Sequence, residues 1–182
     1  MIKLMLVGDD GVGKTSFCYT FAENTFPVDK PVFPGYDILV NNVWVNLWDT
    51  AGGDEFSQCR CRSYPETDVF LVLYSLICRV SLERVRTKWI PEIKLHCPYY
   101  SLFGLVGCKL DLRNDLATVE RLKERNETVI THEEGQAMAD ELGAVLFIEC
   151  SSLHSTNIDE TMESVVKCLG PKGKKSNKCE LM

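Results

Sequence analysis

The sequence predicts an α/β fold in which a six-stranded, mostly parallel sheet carries helices on both faces. Short apolar runs alternate with segments of helical periodicity along the 182 residues, and this alternation requires crossover connections between parallel strands. The length suits one compact domain with a sizeable core. We expect that domain at residues 1–170, followed by a flexible basic tail at residues 171–182.

Six short apolar runs supply the predicted strands. Residues 2–7 form the first, a buried strand. Residues 38–48 predict a hairpin that turns at Asn41 and Asn42, because asparagine tolerates the positive φ of tight turns. The remaining three runs are residues 69–75, 102–107 and 145–149.

Helical segments are predicted between these strands. One begins near Lys14 behind a glycine loop, and another covers residues 81–94 with an apolar face of four-residue spacing. A capping box at residues 131–134 opens a third helix, which Gly143 ends. The apolar stripe of the last helix comprises Ile158, Met162, Val165, Val166 and Leu169.

The net charge of −6 is unevenly distributed. The last twelve residues carry four lysines and one glutamate, so the first 170 residues carry −9. An acidic body argues against nucleic-acid binding, and a short basic tail favours an anionic membrane surface. No apolar run reaches the ~18 residues of a membrane-spanning helix and no signal peptide is predicted, so we expect synthesis in the cytosol. The nine cysteines follow no zinc pattern, which indicates reduced thiols.

A phosphate-binding loop is the strongest functional motif. Residues 8–15 read Gly-Asp-Asp-Gly-Val-Gly-Lys-Thr and match G-x-x-x-x-G-K-[ST] between a predicted strand and a predicted helix. Glycines let backbone N–H groups turn toward phosphate oxygens, and the helix N-terminus adds the positive end of its dipole. Lys14 is expected at the β- and γ-phosphates and Thr15 at Mg²⁺. The nucleotide-binding residues predicted in this region are Asp10, Gly11, Val12, Gly13, Lys14, Thr15 and Ser16.

Four later motifs accompany the phosphate loop. Residues 48–52 read Trp-Asp-Thr-Ala-Gly, residues 108–111 read Cys-Lys-Leu-Asp, residues 150–153 read Cys-Ser-Ser-Leu, and Phe26 precedes a proline. They resemble the D-x-x-G, N/T-K-x-D and C-S-A-L elements and the base-contacting aromatic of the Ras-superfamily small GTPases, across essentially the whole chain. The resemblance implies a P-loop NTPase fold that binds GTP or GDP with Mg²⁺.

The resemblance also implies a role for each motif. Asp49 would hold Mg²⁺ through water, and the Gly52 amide would reach the γ-phosphate. The Asp111 carboxylate can accept both N1–H and N2–H of guanine, which adenine cannot offer. The other nucleotide-binding residues implied by the resemblance are Phe26, Lys109, Ser151, Ser152 and Leu153.

Three segments narrow the resemblance to the Rho/Rac branch. Residues 63–70 read Ser-Tyr-Pro-Glu-Thr-Asp-Val-Phe, and residues 88–92 read Lys-Trp-Ile-Pro-Glu. Residues 112–115 are followed by a charged helical stretch to about Glu127 that resembles the insert helix of Rho proteins, although a plain solvated surface helix is the other interpretation. The resemblance implies Rho-type effectors, an exchange factor or a guanine dissociation inhibitor as partners, and a monomeric state.

Three positions depart from the family pattern around the γ-phosphate. Asp10 replaces a small glycine and brings a carboxylate toward the phosphate, where it would also obstruct an arginine finger from an activating protein. Gly53 replaces the glutamine that orients the attacking water. Pro31 replaces the Mg²⁺-coordinating threonine that senses the γ-phosphate. No catalytic residue is therefore predicted to be intact, and we expect negligible GTP hydrolysis on a signalling timescale.

These departures leave several interpretations open. With Pro31, the protein is either permanently in the GTP form or has a loop whose shape does not report the nucleotide. Cys108 stands where Asn or Thr braces the phosphate loop, which lowers the expected nucleotide affinity. The alternatives are a cycling GTPase in which Asp54 or Glu55 positions water, and a scaffold in which the nucleotide is only structural. Drift with compensation elsewhere is a further reading of the same changes.

The C-terminus predicts lipid attachment. The chain ends Cys179-Glu-Leu-Met, a C-a-a-X box whose final Met favours farnesylation of Cys179. A single lipid gives marginal membrane attachment, so a basic run must supply the second signal. That run contains Lys172, Lys174, Lys175 and Lys178. We expect the protein at the cytoplasmic face of the plasma membrane or an endomembrane, with a cytosolic pool.

Overall fold

One six-stranded sheet organises the chain. The computed structural model describes residues 1–28, 35–97 and 102–170. Its strands are β1 Ile2–Gly8, β2 Tyr36–Val40, β3 Val43–Asp49, β4 Val69–Ser75, β5 Leu102–Cys108 and β6 Leu146–Glu149. They lie in the order β2-β3-β1-β4-β5-β6, and every neighbouring pair is parallel except β2 with β3. The predicted six-stranded, mostly parallel sheet is confirmed.

Helices connect the strands. They are α1 Lys14–Glu23, α2 Ser57–Arg62, α3 Arg79–Arg84, α4 Ile90–His96, α5 Leu116–Glu124, α6 His132–Leu142 and α7 Ile158–Leu169. The single helix predicted over residues 81–94 is α3 and α4 joined by a π-helical segment, Val85–Trp89. Sequence patterns did not predict α2, because its six residues carry no apolar stripe.

The two faces of the sheet bury separate cores. In β1, Leu4 and Leu6 pack with α1 and α7, whereas Met5 and Val7 pack with α6 and with the helical stretch from α3 to α4. All four side chains are fully buried. This alternation is the strand period of two applied to a sheet covered on both sides, and it confirms helices on both faces.

Most local signals in the sequence are found in the structure. The hairpin turns at Asn41 and Asn42, with φ of 47° and 65°. Thr131 forms both hydrogen bonds of the predicted capping box, and Gly143 ends α6 in the left-handed conformation. The charged helix predicted after Asp115 is found as α5, which Asp115 caps by accepting from the Thr118 amide, but it ends at Glu124 rather than near Glu127. Within the described residues, no helix is both long and apolar enough to cross a membrane.

A buried carboxylate fixes the end of β6. Arg113 donates two hydrogen bonds to Glu149, and His132 at the start of α6 contacts the same carboxylate at 3.0 Å. Asn157 donates to the Glu149 carbonyl at 2.8 Å. Burial alone would raise the pKa of Glu149, but the hydrogen bonds from Arg113 and His132 hold it below its ordinary value of 4.5. The network ties β6 to the segments before α5, α6 and α7.

Replacing this carboxylate tests the network. Glu149→Gln should lower the free energy of unfolding by roughly 3 kcal/mol, because it leaves the partly buried Arg113 guanidinium without its counter-charge. The folded-state pKa is depressed, so the stabilisation is present above the unfolded pKa and is lost as the pH falls through the folded pKa. The difference in unfolding free energy between wild type and Glu149→Gln should therefore become smaller below pH 4.5.

Denaturant unfolding at pH 7 and at acidic pH measures both effects. Glu141→Gln is the matched control, because Glu141 pairs with Arg86 at the surface, where both side chains are about half exposed. That pair should contribute less than about 1 kcal/mol. Equal losses in the two variants would contradict a stabilising role for Glu149.

Candidate nucleotide site

The loop between β1 and α1 has the geometry of a phosphate cradle. Gly11 and Gly13 have φ of 73° and 122°, a backbone region that side chains other than glycine rarely adopt. The loop leads directly into α1 at Lys14, so the unpaired N–H groups of the first helical turn adjoin it. Backbone donors and a helix N-terminus together suit an anion.

The Lys14 ammonium lies at the base of this cradle. Only 6% of the residue is exposed, and its Nζ donates to the carbonyl oxygens of Gly8 and Asp9, both at 2.7 Å. Burial lowers the pKa of Lys14, while the carboxylates of Asp49 and Asp10 partly oppose that effect. A phosphate bound beside this ammonium would offset the cost of burying its charge.

Two oxygen-bearing side chains meet next to the cradle. The Thr15 hydroxyl donates to the Asp49 carboxylate at 2.5 Å, across the gap between α1 and the end of β3. A hydroxyl and a carboxylate are hard oxygen ligands of the kind that Mg²⁺ selects, so Thr15 and Asp49 fit the ion that a P-loop implies. Bound there, Mg²⁺ would neutralise charge on the β- and γ-phosphates. The altered position Pro31 lies outside the described residues.

The segment that follows β3, here called loop 50–53, runs against the phosphate cradle. A Cβ on Gly52 would lie 2.5 Å from both the Asp10 nitrogen and the Gly8 oxygen, so only glycine permits this approach. The Gly52 N–H donates to the Asp10 carboxylate at 2.9 Å. The residue that replaces the usual glycine thus contacts the amide that the family resemblance assigns to the γ-phosphate.

Two further loops carry the residues predicted to recognise the base. Lys109 adopts the left-handed conformation with φ of 66°, and the next residue, Leu110, donates its N–H to the Cys150 carbonyl at 3.0 Å. The Ser151 hydroxyl donates to the Asp111 carboxylate at 2.6 Å. These contacts join the ends of β5 and β6 and fix the orientation of the carboxylate that is predicted to bind guanine.

A pair of thiols lies beneath these loops. Cys108 and Cys150 are buried, and the neighbouring Cys108 thiol, together with burial, raises the pKa of Cys150 well above its ordinary value. Cys108 also packs against the cradle, since a Cβ on Gly13 would lie 3.5 Å from the Cys108 Cβ. A van der Waals contact therefore stands where the family pattern has a hydrogen-bonding Asn or Thr.

The other predicted positions surround these loops. Val12 is buried in the cradle, and Ser16 is half-buried in the first turn of α1. The Ser152 carbonyl accepts a hydrogen bond from Thr20 of α1 at 3.3 Å. Phe26 and Leu153 are exposed, at 40% and 53%. Their contact with a base stays a prediction.

Sequence patterns did not predict that Arg60 binds the backbone of loop 50–53. Arg60 of α2 donates to the carbonyl oxygens of Ala51 and Gly53 at 2.6 and 3.1 Å. The same guanidinium forms two hydrogen bonds with Glu92 of α4, at 3.0 and 2.8 Å, and is only 1% exposed. Tyr64 donates to Glu92 at 2.5 Å. The sequence signals at the partners of Arg60 were that Tyr64 and Glu92 lie in the two segments, residues 63–70 and 88–92, that match the Rho/Rac pattern.

Lys88 of the π-helical segment also contacts this loop, and Arg84 of α3 contacts the residue that follows it. Lys88 donates to the Gly52 carbonyl at 3.2 Å and pairs with the Asp54 carboxylate. Arg84 contacts Asp54 at 3.2 Å and Asp9 of the cradle at 3.3 Å. The hydrogen bond from Lys88, above all, lowers the pKa of Asp54. A carboxylate engaged in this way is poorly suited to accept a proton from water.

Gly53 adjoins a different carboxylate. It has ordinary extended backbone angles, φ −62° and ψ 149°, so its lack of a side chain is not a backbone requirement. A Cβ at this position would lie 2.5 Å from both carboxylate oxygens of Glu55. The exposed Glu55 side chain therefore covers the place where the usual glutamine side chain would begin.

These loops all lie where parallel strands end, as in nucleotide-binding α/β proteins. Residues 3–170 match the model of the Ras family. The chain belongs to the Ras family. As a Ras-family small GTPase it binds guanine nucleotide. That the residues described above supply the phosphate and base sides of its site stays a prediction.

Base specificity of this Ras-family site should depend on Asp111. Asp111→Asn replaces an oxygen acceptor with an amide donor, which opposes a guanine N–H instead of accepting from it. Guanine-nucleotide affinity should fall at least about a hundredfold, since hydrogen bonds to a charged group contribute ~1.5–3 kcal/mol each. Titration of fluorescent GDP measures the loss.

Asp140→Asn on α6 is the control, because the same chemical change there affects only a hydrogen bond with Gln136. Unchanged affinity in Asp111→Asn would mean that another group reads the base.

Proposed function

We propose that the protein is a Rho-type, membrane-anchored signalling GTPase in which GTP hydrolysis is impaired or absent. Its output is set by abundance and location rather than by a hydrolytic timer. Of the two consequences that the sequence left open, a weakly nucleotide-sensitive form is better supported than a permanently GTP-bound one. The support is that the chain's own side chains hold loop 50–53.

One observation carries the hydrolysis proposal. Gly53 has no side chain to orient water, and the neighbouring Gly52 amide is engaged by the Asp10 carboxylate at 2.9 Å. The first change removes the water-positioning group, and the second places negative charge where transition-state charge must be stabilised. An arginine finger contributes roughly 10³–10⁵ in rate, and Asp10 lies in its path.

The Rho assignment is supported by how its signature residues interact. Tyr64 of residues 63–70 and Glu92 of residues 88–92 share a hydrogen bond, and both join the Arg60 network under loop 50–53. On the outer face of the hairpin, Leu39 lies directly opposite Trp44, and each is about half exposed. An exposed apolar pair of this kind suits a protein partner, as a Rho-type effector site requires.

A cycling GTPase is the second candidate. The Glu55 carboxylate covers Gly53, so it is the described group best placed to orient water in place of the usual glutamine. Asp54, the other candidate, is engaged by Lys88 and Arg84. Within residues 1–28, 35–97 and 102–170, no separate contact favours the scaffold alternative.

Hydrolysis is tested by a time course of bound nucleotide. Protein loaded with GTP and Mg²⁺ should retain GTP over several hours, because both the water-positioning side chain and access for an arginine finger are lost. Denatured aliquots separated by chromatography give the ratio of GDP to GTP. The double variant Asp10→Gly/Gly53→Gln should hydrolyse faster.

The same assay separates the two candidates. If wild type accumulates GDP at an ordinary small-GTPase rate and Glu55→Ala stops it, the cycling GTPase with Glu55 is correct. Rapid hydrolysis that survives Glu55→Ala would contradict both candidates.

Membrane attachment through Cys179 is the second testable part of the proposal. In prenylating cells, the mature chain should have lost its last three residues and gained one isoprenoid, and Cys179→Ser should shift the protein to the soluble fraction. Mass spectrometry of the C-terminus and fractionation measure both results.

Replacing Lys172, Lys174, Lys175 and Lys178 with glutamine should leave the lipid in place and still weaken binding to anionic vesicles. An unmodified Cys179 in such cells would contradict the proposed anchor.

A further inference from the structure

The Gly52 amide has one hydrogen to give, and it gives that hydrogen to Asp10. The contact joins the Gly52 nitrogen to the Asp10 Oδ1 at 2.9 Å, with Gly52 buried against the cradle. A phosphate oxygen that sought the same N–H would have to displace a carboxylate oxygen of the same charge. Asp10 and a third phosphate are therefore competitors for one donor.

The electrostatics of the cradle sharpen this competition. The neighbouring Asp9 carboxylate accepts from the Trp89 indole at 2.9 Å and pairs with Arg84 at 3.3 Å. Arg84 is in turn shared with Asp54. The Arg84 cation is thus engaged with Asp9 and Asp54, and like charge on Asp10 disfavours a phosphate oxygen beside it.

Side chains of the chain itself also hold three carbonyl oxygens of loop 50–53. Arg60 binds the carbonyl oxygens on either side of Gly52, and Lys88 binds the Gly52 carbonyl. Both cations stack on the Trp89 ring, at 4.7 and 4.1 Å from its centroid. The Asp10 carboxylate binds the Gly52 amide from the other side. All of these hydrogen bonds to loop 50–53 therefore come from protein side chains, and none requires a third phosphate.

From this geometry we infer that Asp10 is a specificity-determining residue: its carboxylate takes the place of the γ-phosphate at Gly52, so that the site prefers GDP to GTP and loop 50–53 keeps one arrangement with either nucleotide. The inference rests on the proposed guanine-nucleotide site and deepens it. It names the diphosphate as the preferred ligand, whereas loss of hydrolysis alone implies no preference.

Competition binding on the full chain tests this preference. Wild type with Mg²⁺ should bind a β,γ-imido GTP analogue about 10–100 times more weakly than GDP, the size expected for displacing one hydrogen bond to a charged group. Asp10→Gly removes both acceptor and charge and should bring the two affinities to within about threefold of each other. Asp10→Asn keeps an acceptor without the charge and should give an intermediate ratio. Asp140→Asn matches the change in net charge and should leave the ratio unaltered.

Hydrogen exchange at the Gly52 amide provides a readout independent of affinity. The amide should be protected equally in the GDP and GTP-analogue forms of wild type, and it should exchange faster in the GDP form of Asp10→Gly. If Asp10→Gly does not fold, Asp10→Asn carries both measurements.

The outcomes distinguish this inference from the function on which it rests. Equal affinity of wild type for GDP and the analogue, or a ratio that Asp10→Gly leaves unchanged, would overturn the inference and leave the guanine-nucleotide site standing. Rapid hydrolysis with GDP still preferred would overturn the proposed loss of hydrolysis and support Asp10 as the selector. Binding of neither nucleotide would overturn both.

Discussion

The site depends on the register of β1 between its two parallel neighbours. Leu6 lies opposite Asp49 of β3 and Leu71 of β4, so the loops that follow these strands leave the sheet at one edge. Thr50 reinforces the alignment by donating to the Leu6 carbonyl at 2.6 Å. Hydrogen bonds between the strands and the two buried cores fix the positions of the strand ends. They therefore also fix the position of the phosphate cradle relative to loop 50–53.

The predicted base-recognition side is likewise built where neighbouring parallel strands end. The ends of β5 and β6 are joined by the Leu110–Cys150 hydrogen bond, and Ser151 orients Asp111. Beneath them, Cys108 offers a thiol where a stronger hydrogen-bonding side chain would brace the cradle. Thiols are weak donors and acceptors, so Cys108 supports the phosphate loop at Gly13 by packing and not by a strong, directional hydrogen bond. The altered chemistry thus bears on affinity more than on which base is read.

Residue patterns were sufficient wherever structure is determined locally. The cradle, the asparagine turn and the capping box at Thr131 follow from backbone preferences of a few adjacent residues, and the sequence predicted all three. The Arg60–Glu92 pair joins residues 32 positions apart, and the sequence around either residue does not indicate that the two interact. The same holds for the Asp10 contact with Gly52: the sequence showed a misplaced carboxylate, but its partner is set by how β1 and β3 pair. Local sequence patterns therefore did not predict these long-range polar contacts of the site.

The charges around loop 50–53 explain why altered catalytic residues and an ordered site coexist. In a timed GTPase the third phosphate is the group that positions this loop, and its loss releases the loop. Here the loop is held by a carboxylate from one side and by Arg60 and Lys88 from the other. A bound nucleotide can shift a conformational equilibrium only by its differential affinity for the two arrangements. When Asp10 already satisfies the Gly52 amide, the contact that would supply this difference is removed, and hydrolysis would change little that a partner could read.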